Sequence, residues 1–196
     1  MNDRLEQQLR FALEADKEKN IVRQTLISDG SRRENDAEHA WHAALMAVLL
    51  HEHSNEKIDL LRTVTMLLIH DIVEIDAGDT YAYDEQAKLS QRDRETAAAD
   101  RIFGLLPGDQ RDSLRALWEE FEAGVTAEAK FARTMDNLQP MTLNNATGGR
   151  VWRERGVALH QILKRNEITG EGSQVLWEYA RDKIITPHHE KGNITD

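Results

Sequence analysis

Apolar residues recur along the chain at the three- and four-residue spacing of helices, and few stretches alternate with the two-residue period of strands. Positions 36–53 predict a helix rich in alanine, valine and leucine, for which Asp36 is a suitable N-cap. A second helix, starting near Lys57, carries the most apolar run of the chain at 64–69 and ends at His70-Asp71. These patterns predict an all-α fold.

The remaining helices are separated by short breaks such as Asp29-Gly30, Pro107-Gly108 and Gly148-Gly149. They are predicted at 5–18, 84–106, 109–122, 126–145, 155–165 and 173–185, with Pro187 ending the last. Pro140 cannot donate to the carbonyl of residue 136 and predicts a kink. Because 196 residues suit one domain and no repeat or low-complexity linker occurs, we expect a single compact helical bundle over 1–196.

Composition excludes several classes of function. With 25 Lys and Arg against 35 Asp and Glu the net charge is −10, which disfavours binding to polymeric nucleic acid. The absence of cysteine excludes disulfides and thiolate metal sites, and it fits a cytoplasmic location. The first 19 residues are charged throughout, unlike a signal peptide, and no apolar run approaches the length of a membrane span. We therefore expect a soluble protein.

An unusual acidic segment follows the apolar helix. Between Thr63 and Ala87 there is no Lys or Arg, although six carboxylates fall there: Asp71, Glu74, Asp76, Asp79, Asp84 and Glu85. Crowded carboxylates without bases favour either full solvation or a bound cation. The apolar residues just before His70 and Asp71 indicate that this pair begins in the core, where an unpaired charge is costly.

Two more residues are candidates for the same centre. His39 lies at the start of the helix at 36–53, and Asp136 lies four residues before Pro140. Each has a simpler interpretation, since a lone buried histidine is more often a hydrogen-bonded core residue and a lone aspartate is usually solvated or capping. The order of the four residues together, H…HD…D on consecutive helices, favours a metal site.

This order resembles the HD-domain superfamily of metal-dependent phosphohydrolases. The similarity extends through the segments DGSRRENDAEHAWH at 29–42 and LLIHDIVEIDAGDT at 67–80, which resemble the bacterial branch related to 5′-deoxynucleotidases. The matching region is about 21–166, with helices at 167–196 appended. The resemblance implies a single helical HD domain that forms a homodimer.

The resemblance also implies roles for individual residues. One divalent ion would be held by His39, His70, Asp71 and Asp136, and Mn²⁺, Co²⁺, Fe²⁺, Ni²⁺ or Zn²⁺ suits these ligands. Glu74 and Asp79 would orient the attacking water or move its proton, and in some relatives such residues hold a second ion. The nucleotidases also have an arginine before the first motif helix that touches substrate phosphate. Arg23 is the nearest candidate, with Arg32 and Arg33 as alternatives. The tryptophan that follows that arginine in the nucleotidases is replaced here by Gln24 and Thr25.

Three functions remain open at this stage. The first is a phosphomonoesterase acting on a small phosphorylated substrate, a nucleoside 5′-monophosphate or its deoxy form. The second is a dinuclear oxygenase or phosphodiesterase, which needs additional histidines, whereas none lies between His70 and His160. The third is a non-catalytic metal-binding domain, in which Glu74 or Asp79 should be lost, and both are present.

Overall fold

The chain opens with a helix and a short β-hairpin in the computed structural model, which describes residues 3–78 and 91–196. Helix α1 (Asp3–Ala15) continues into a 3₁₀ turn (Asp16–Asn20), and antiparallel strands β1 (Val22–Leu26) and β2 (Arg33–Asn35) follow. Gly30 supplies a φ of 72° in the connecting turn. The predicted turn at Asp29-Gly30 is present, but it joins two strands that the sequence pattern did not indicate.

Helices α2 (Asp36–Leu50), α3 (Leu60–Ile69) and α7 (Ala127–Ala146) pack against one another at the centre of the fold. The N-cap of α2 is Asn35, not Asp36 as predicted, because the Asn35 side chain and Glu38 form a capping box. A 3₁₀ turn (His51–His53) follows α2, so the predicted helix at 36–53 is confirmed with a tighter last turn. Helix α7 continues through Pro140 and is not ended there.

The other helices surround this centre. Their bounds are α4 (Glu74–Ala77), α5 (Gln91–Phe103), α6 (Gly108–Ala123), α8 (Arg150–Arg155), α9 (Leu159–Arg165), α10 (Thr169–Gly172), α11 (Gln174–Tyr179), a π-helical turn (Ala180–Ile185) and α12 (Thr186–Glu190). The helix predicted at 155–165 is present only from Leu159, because Gly156, with a φ of 59°, ends α8 and separates it from α9. Pro187 does not end a helix as predicted but lies in the first turn of α12, where its missing N–H costs nothing.

Large side chains from these helices form the hydrophobic core. Met66 and Leu67 of α3, Trp118 of α6, and Phe131 and Met135 of α7 are completely buried in it. Burial of such a side chain contributes about 1.5–3 kcal/mol, so packing fixes α3 and α7, which place three of the four candidate ligands. None of the helices in the two described ranges has the length and apolarity needed to cross a membrane. The prediction of an all-α fold is confirmed, with the hairpin as a small addition.

Candidate metal centre

Three helical elements bring the four predicted ligands to one place. His39 lies in the first turn of α2, His70 and Asp71 directly follow α3, and Asp136 lies midway along α7. Because α2, α3 and α7 pack together, residues separated by up to 97 positions meet. The packing of the core therefore sets the spacing of the candidate ligands.

The ligand atoms of three of these residues form a compact cluster. Nε2 of His39 lies 3.0 Å from Oδ1 of Asp136, and Nε2 of His70 lies 3.6 Å from the same oxygen. The ligand atoms of His39, His70 and Asp136 all lie within 4.8 Å of one another, and both histidines are buried. Such a cluster could hold a metal ion.

Asp71 extends the cluster on the side of His70. Its Oδ2 lies 3.1 Å from Nε2 of His70 and 3.9 Å from Nε2 of His39. Nε2 of His70 is nevertheless buried without a hydrogen bond from any residue in the described ranges. A buried imidazole nitrogen left in this way beside two carboxylates is well suited to coordinate a cation.

The second nitrogen of each imidazole shows which nitrogen is free to bind. Nδ1 of His70 lies 2.8 Å from the backbone carbonyl oxygen of Leu67, which can only accept, so Nδ1 carries the hydrogen. Nδ1 of His39 lies 2.9 Å from Oε1 of Gln139. Both contacts leave the Nε2 lone pairs facing the carboxylates, which is the arrangement that metal-binding histidines require.

Charge in the cluster is strongly coupled. Burial lowers the pKa of His70, but Asp71 and Asp136 outweigh it and raise that pKa well above its ordinary value. Burial raises the pKa of Asp71 and of Asp136, but the imidazoles, with Arg23 in the case of Asp71, hold both carboxyl pKa values below their usual range. The two carboxylates thus stabilise a positive charge on the neighbouring imidazole. A proton supplies that charge in the free protein, and a divalent ion could supply it by replacing the proton.

A cavity of about 330 Å³ opens beside the cluster. Its volume is in the range of small-molecule sites. Glu74 lines it together with His70, Asp71 and Asp136, and it is 9 % exposed. Gln24 and Thr25, at the position of the missing tryptophan, also line it. The cavity can therefore admit a ligand that contacts both the cluster of candidate metal ligands and the buried carboxyl of Glu74.

The three candidate arginines lie in different surroundings. Arg23 lines the cavity, and its Nη1 lies 2.6 Å from Oδ2 of Asp71 and 3.1 Å from Oδ1 of Asp36. Arg32 is exposed and forms a bidentate pair with Glu38. Arg33 donates to Gln24 at its backbone and side-chain oxygens. The structure thus brings Arg23, and neither alternative, to the cluster.

Asp79, the other candidate catalytic acid, lies outside the described residues. Several residues at the site were missed by the sequence analysis: Glu18, Glu34, Gln139, Asn144 and Asn166. Gln139 and Asn144 stand three and eight residues after Asp136, spacings that return to one side of a helix, so a polar stripe on α7 was the available signal. The others come from separate elements and left no such pattern.

The chain is similar to known proteins in sequence. A family model described as "HD domain" matches residues 15–177. The human 5′-deoxynucleotidase HDDC2 is 34 % identical over 108 residues, which are 55 % of this chain and 52 % of that protein. The Xenopus laevis 5′-deoxynucleotidase HDDC2 is 33 % identical over 106 residues, 54 % of this chain and 51 % of that protein. The chain spans about half the length of the curated relatives it matches.

Two solved structures are similar over most of the chain. A predicted metal-dependent phosphohydrolase from Magnetospirillum magnetotacticum MS-1 superposes with a TM-score of 0.94 and 47 % identity, covering 99 % of this chain and 97 % of that one. A conserved hypothetical protein from Pyrococcus furiosus superposes with a TM-score of 0.65 at 20 % identity, covering 88 % and 99 %. The second similarity concerns the fold alone.

Proposed function

Because this chain belongs to the HD domain family, we propose that it is a metal-dependent phosphomonoesterase releasing phosphate from nucleoside 5′-monophosphates, in particular their deoxy forms. One observation carries the proposal: a single cavity is lined by the candidate ligands His70, Asp71 and Asp136, and also by the buried acid Glu74 and by Arg23. That combination provides a cation site, a proton acceptor and a phosphate-binding group. The 5′-deoxynucleotidase relatives support the nucleotide as substrate.

We propose one divalent ion held by His39, His70, Asp71 and Asp136. The donor set suits Mn²⁺, Co²⁺, Fe²⁺, Ni²⁺ or Zn²⁺. When bound, such an ion lowers the pKa of a coordinated water and offsets negative charge on the phosphoryl group. A second ion near Glu74 and Asp79 is a further possibility of the same proposal, supported by the crowding of carboxylates in that segment.

The chain's own residues perform the remaining steps. A water oxygen forms a bond to phosphorus, the bond from phosphorus to the sugar oxygen breaks, and that oxygen takes a proton. Glu74, which lines the cavity beside the ligands, accepts one proton of the water and delivers it to the sugar oxygen, and Asp79 is the alternative residue for this transfer. Arg23 donates hydrogen bonds to the non-bridging phosphate oxygens, a geometry that a guanidinium matches bidentately.

We also propose a homodimer formed through the outer face of α2. Large apolar side chains at helical spacing are exposed there: Trp41, Leu45, Val48 and Leu49. Leu61 and Leu68 of the adjoining α3 are exposed as well. Contiguous apolar surface of this kind usually marks a protein interface. We further propose a cytoplasmic location, with which the lack of cysteine is compatible.

Phosphate release from a panel of nucleoside monophosphates tests the proposal, with each divalent ion added back to chelator-treated protein. We expect turnover of 5′-monophosphates that depends on the metal and disappears in Asp71→Ala. Elemental analysis should show about one ion per chain in the wild type and little in the variant. If no monophosphate is hydrolysed with any ion while the metal is retained, the protein is a metal-binding domain without this activity.

A further inference from the structure

The cavity continues well beyond the metal cluster along α7. Pro140, Met141 and Asn144 follow Asp136 as lining residues, and eight residues of helix advance by about 12 Å. Trp152 of α8, Ile162 of α9 and Asn166 at the C-terminal end of α9 line the same cavity. We call Met141, Asn144, Trp152, Ile162 and Asn166 the distal wall. A ligand held at the cluster by its phosphate would extend its other end toward this wall.

The distal wall is mostly apolar but contains two buried amides. Asn144 is 6 % exposed and Asn166 is 3 % exposed. Nδ2 of Asn144 donates to the backbone oxygen of Pro140 at 2.9 Å, and Nδ2 of Asn166 donates to that of Ile162 at 2.8 Å. A backbone carbonyl can only accept, so these contacts fix which end of each amide is nitrogen and which is oxygen.

One of these amide oxygens is left unsatisfied. Oδ1 of Asn144 is buried and receives no hydrogen bond within the described part of the chain. A buried acceptor without a partner is destabilising, and protein interiors rarely contain one. Asn144 lines the cavity, so a ligand in the cavity could supply the hydrogen bond that this oxygen lacks.

We propose that the distal wall is a subsite for a planar heteroaromatic ring bearing an exocyclic amino group, with Asn144 and Asn166 accepting hydrogen bonds from that amino group. This inference rests on the proposed phosphomonoesterase function and adds its specificity. Trp152, Met141 and Ile162 supply the apolar surface on which such a ring packs. Adenine and cytosine carry an exocyclic amino donor, whereas thymine presents a carbonyl at the equivalent edge. The subsite therefore selects amino-bearing bases over thymine.

Substrates with and without a base test this subsite. For the wild type we expect kcat/KM to be higher for deoxyadenosine and deoxycytidine monophosphates than for thymidine monophosphate. In Asn144→Leu and Asn166→Leu, kcat/KM for the two amino-bearing substrates should fall about 10-fold, the loss expected for one hydrogen bond. Deoxyribose 5-phosphate, which has no base, should be hydrolysed by wild type and both variants within about twofold.

Other outcomes separate the subsite from the function on which it rests. Equal losses for all four substrates would indicate damage to the site as a whole and overturn the subsite. Unchanged hydrolysis of deoxyadenosine monophosphate by both variants would overturn it as well, while leaving the phosphomonoesterase in place.

Binding of deoxyadenosine measured by calorimetry gives a result that does not depend on turnover. Weaker binding to both variants than to the wild type, with unchanged unfolding temperatures, would support the subsite even if no phosphate were released. Binding that the two substitutions leave unaltered, or no binding to the wild type, would remove it.

Discussion

Oε1 of Gln139 lies 2.9 Å from Nδ1 of His39, and this contact determines which imidazole nitrogen can bind a metal. Nε2 of Gln139 donates to Oε2 of Glu34 at 2.8 Å and lies 3.1 Å from Nδ1 of His42. With its nitrogen used in this way, the amide presents its oxygen to His39, whose Nδ1 must then carry the hydrogen. The lone pair of Nε2 is thereby directed at Asp136 and the centre of the cluster.

Substitution of Gln139 should therefore weaken metal binding without removing a ligand. In Gln139→Leu, Nδ1 of His39 loses its acceptor, and we expect the dissociation constant of the divalent ion to rise about 10- to 100-fold. Competition with a chromophoric chelator measures this. Gln8→Leu is the matched control, because Gln8 bonds to Gln110 and neither residue lines the cavity. Equal affinities in wild type and Gln139→Leu would show that the contact does not orient the histidine.

The proximity of the four candidate ligands could be predicted from the sequence, whereas the residues that support them could not. His70 and Asp71 follow an apolar run that must be buried, and Asp136 and His39 occupy helices of the same core, so order along the chain was informative. Glu34 contacts Gln139 across 105 residues, and that kind of contact depends on the relative placement of helices, which local patterns do not record.

The errors in the predicted fold have local causes. Strands β1 and β2 have five and three residues, which is too few for a two-residue alternation of apolar and polar side chains to be recognised in the sequence. Only their pairing in the fold identifies them as strands. Gly156 lies next to a predicted helix boundary, where sequence alone does not distinguish an interruption from an end. Asn35 and Asp36 are both good caps, and Glu38 decides between them by closing the capping box on Asn35.

Glu74→Gln should lose turnover while keeping the metal. The amide fills the same space but cannot accept a proton from water, so we expect kcat to fall roughly 100-fold or more. Asp76→Asn is the control on the same short helix, because Asp76 pairs with Arg101 and is not among the residues lining the cavity. Phosphate release and metal content are measured together on each protein. Near-normal kcat in Glu74→Gln would exclude Glu74 as the proton acceptor.

The three arginines should differ in their effect on substrate binding. For Arg23→Gln we expect KM for a monophosphate to rise about 10-fold or more, since a phosphate clamp acts through binding and orientation. Arg32→Gln and Arg33→Gln should leave KM within about twofold, because neither side chain lines the cavity. Steady-state kinetics at fixed metal concentration measures the difference. A large KM effect in Arg32→Gln or Arg33→Gln with none in Arg23→Gln would reverse the assignment.

A charge on the outer face of α2 should prevent dimer formation. Leu49 is 63 % exposed, and Leu49→Glu places a carboxylate in the proposed interface, where it would lose hydration on association. We expect sedimentation equilibrium to give about twice the chain mass for the wild type and the chain mass for the variant. Leu13→Glu, at a similarly exposed apolar position on α1, should remain dimeric. A monomeric wild type at micromolar concentration would contradict the proposed dimer.

Glu18 is an acid that the fold holds in its neutral form close to the candidate metal ligands. It is 6 % exposed, and its Oε1 receives no hydrogen bond from the described residues. Burial, reinforced by the negative charges of Asp71 and Asp36, raises the pKa of Glu18 to about 8 from an ordinary value of 4.5. The folded chain therefore keeps this proton over a pH range in which the unfolded chain releases it.

Stability should consequently fall as pH rises through that range, and Glu18→Gln should remove this part of the fall. The folded state binds the extra proton between about pH 4.5 and 8. The stabilisation that protonated Glu18 provides is therefore fully present below pH 4.5 and lost by pH 8. The loss is on the order of a few kcal/mol. Urea unfolding of chelator-treated protein at pH 5 and pH 8 measures it, and Glu6→Gln, at an exposed position of α1, is the control. The free energy of unfolding of Glu18→Gln should exceed that of the wild type by more at pH 8 than at pH 5, whereas the difference for Glu6→Gln should stay constant. A constant difference for Glu18→Gln would mean that Glu18 is already ionised in the folded protein at neutral pH.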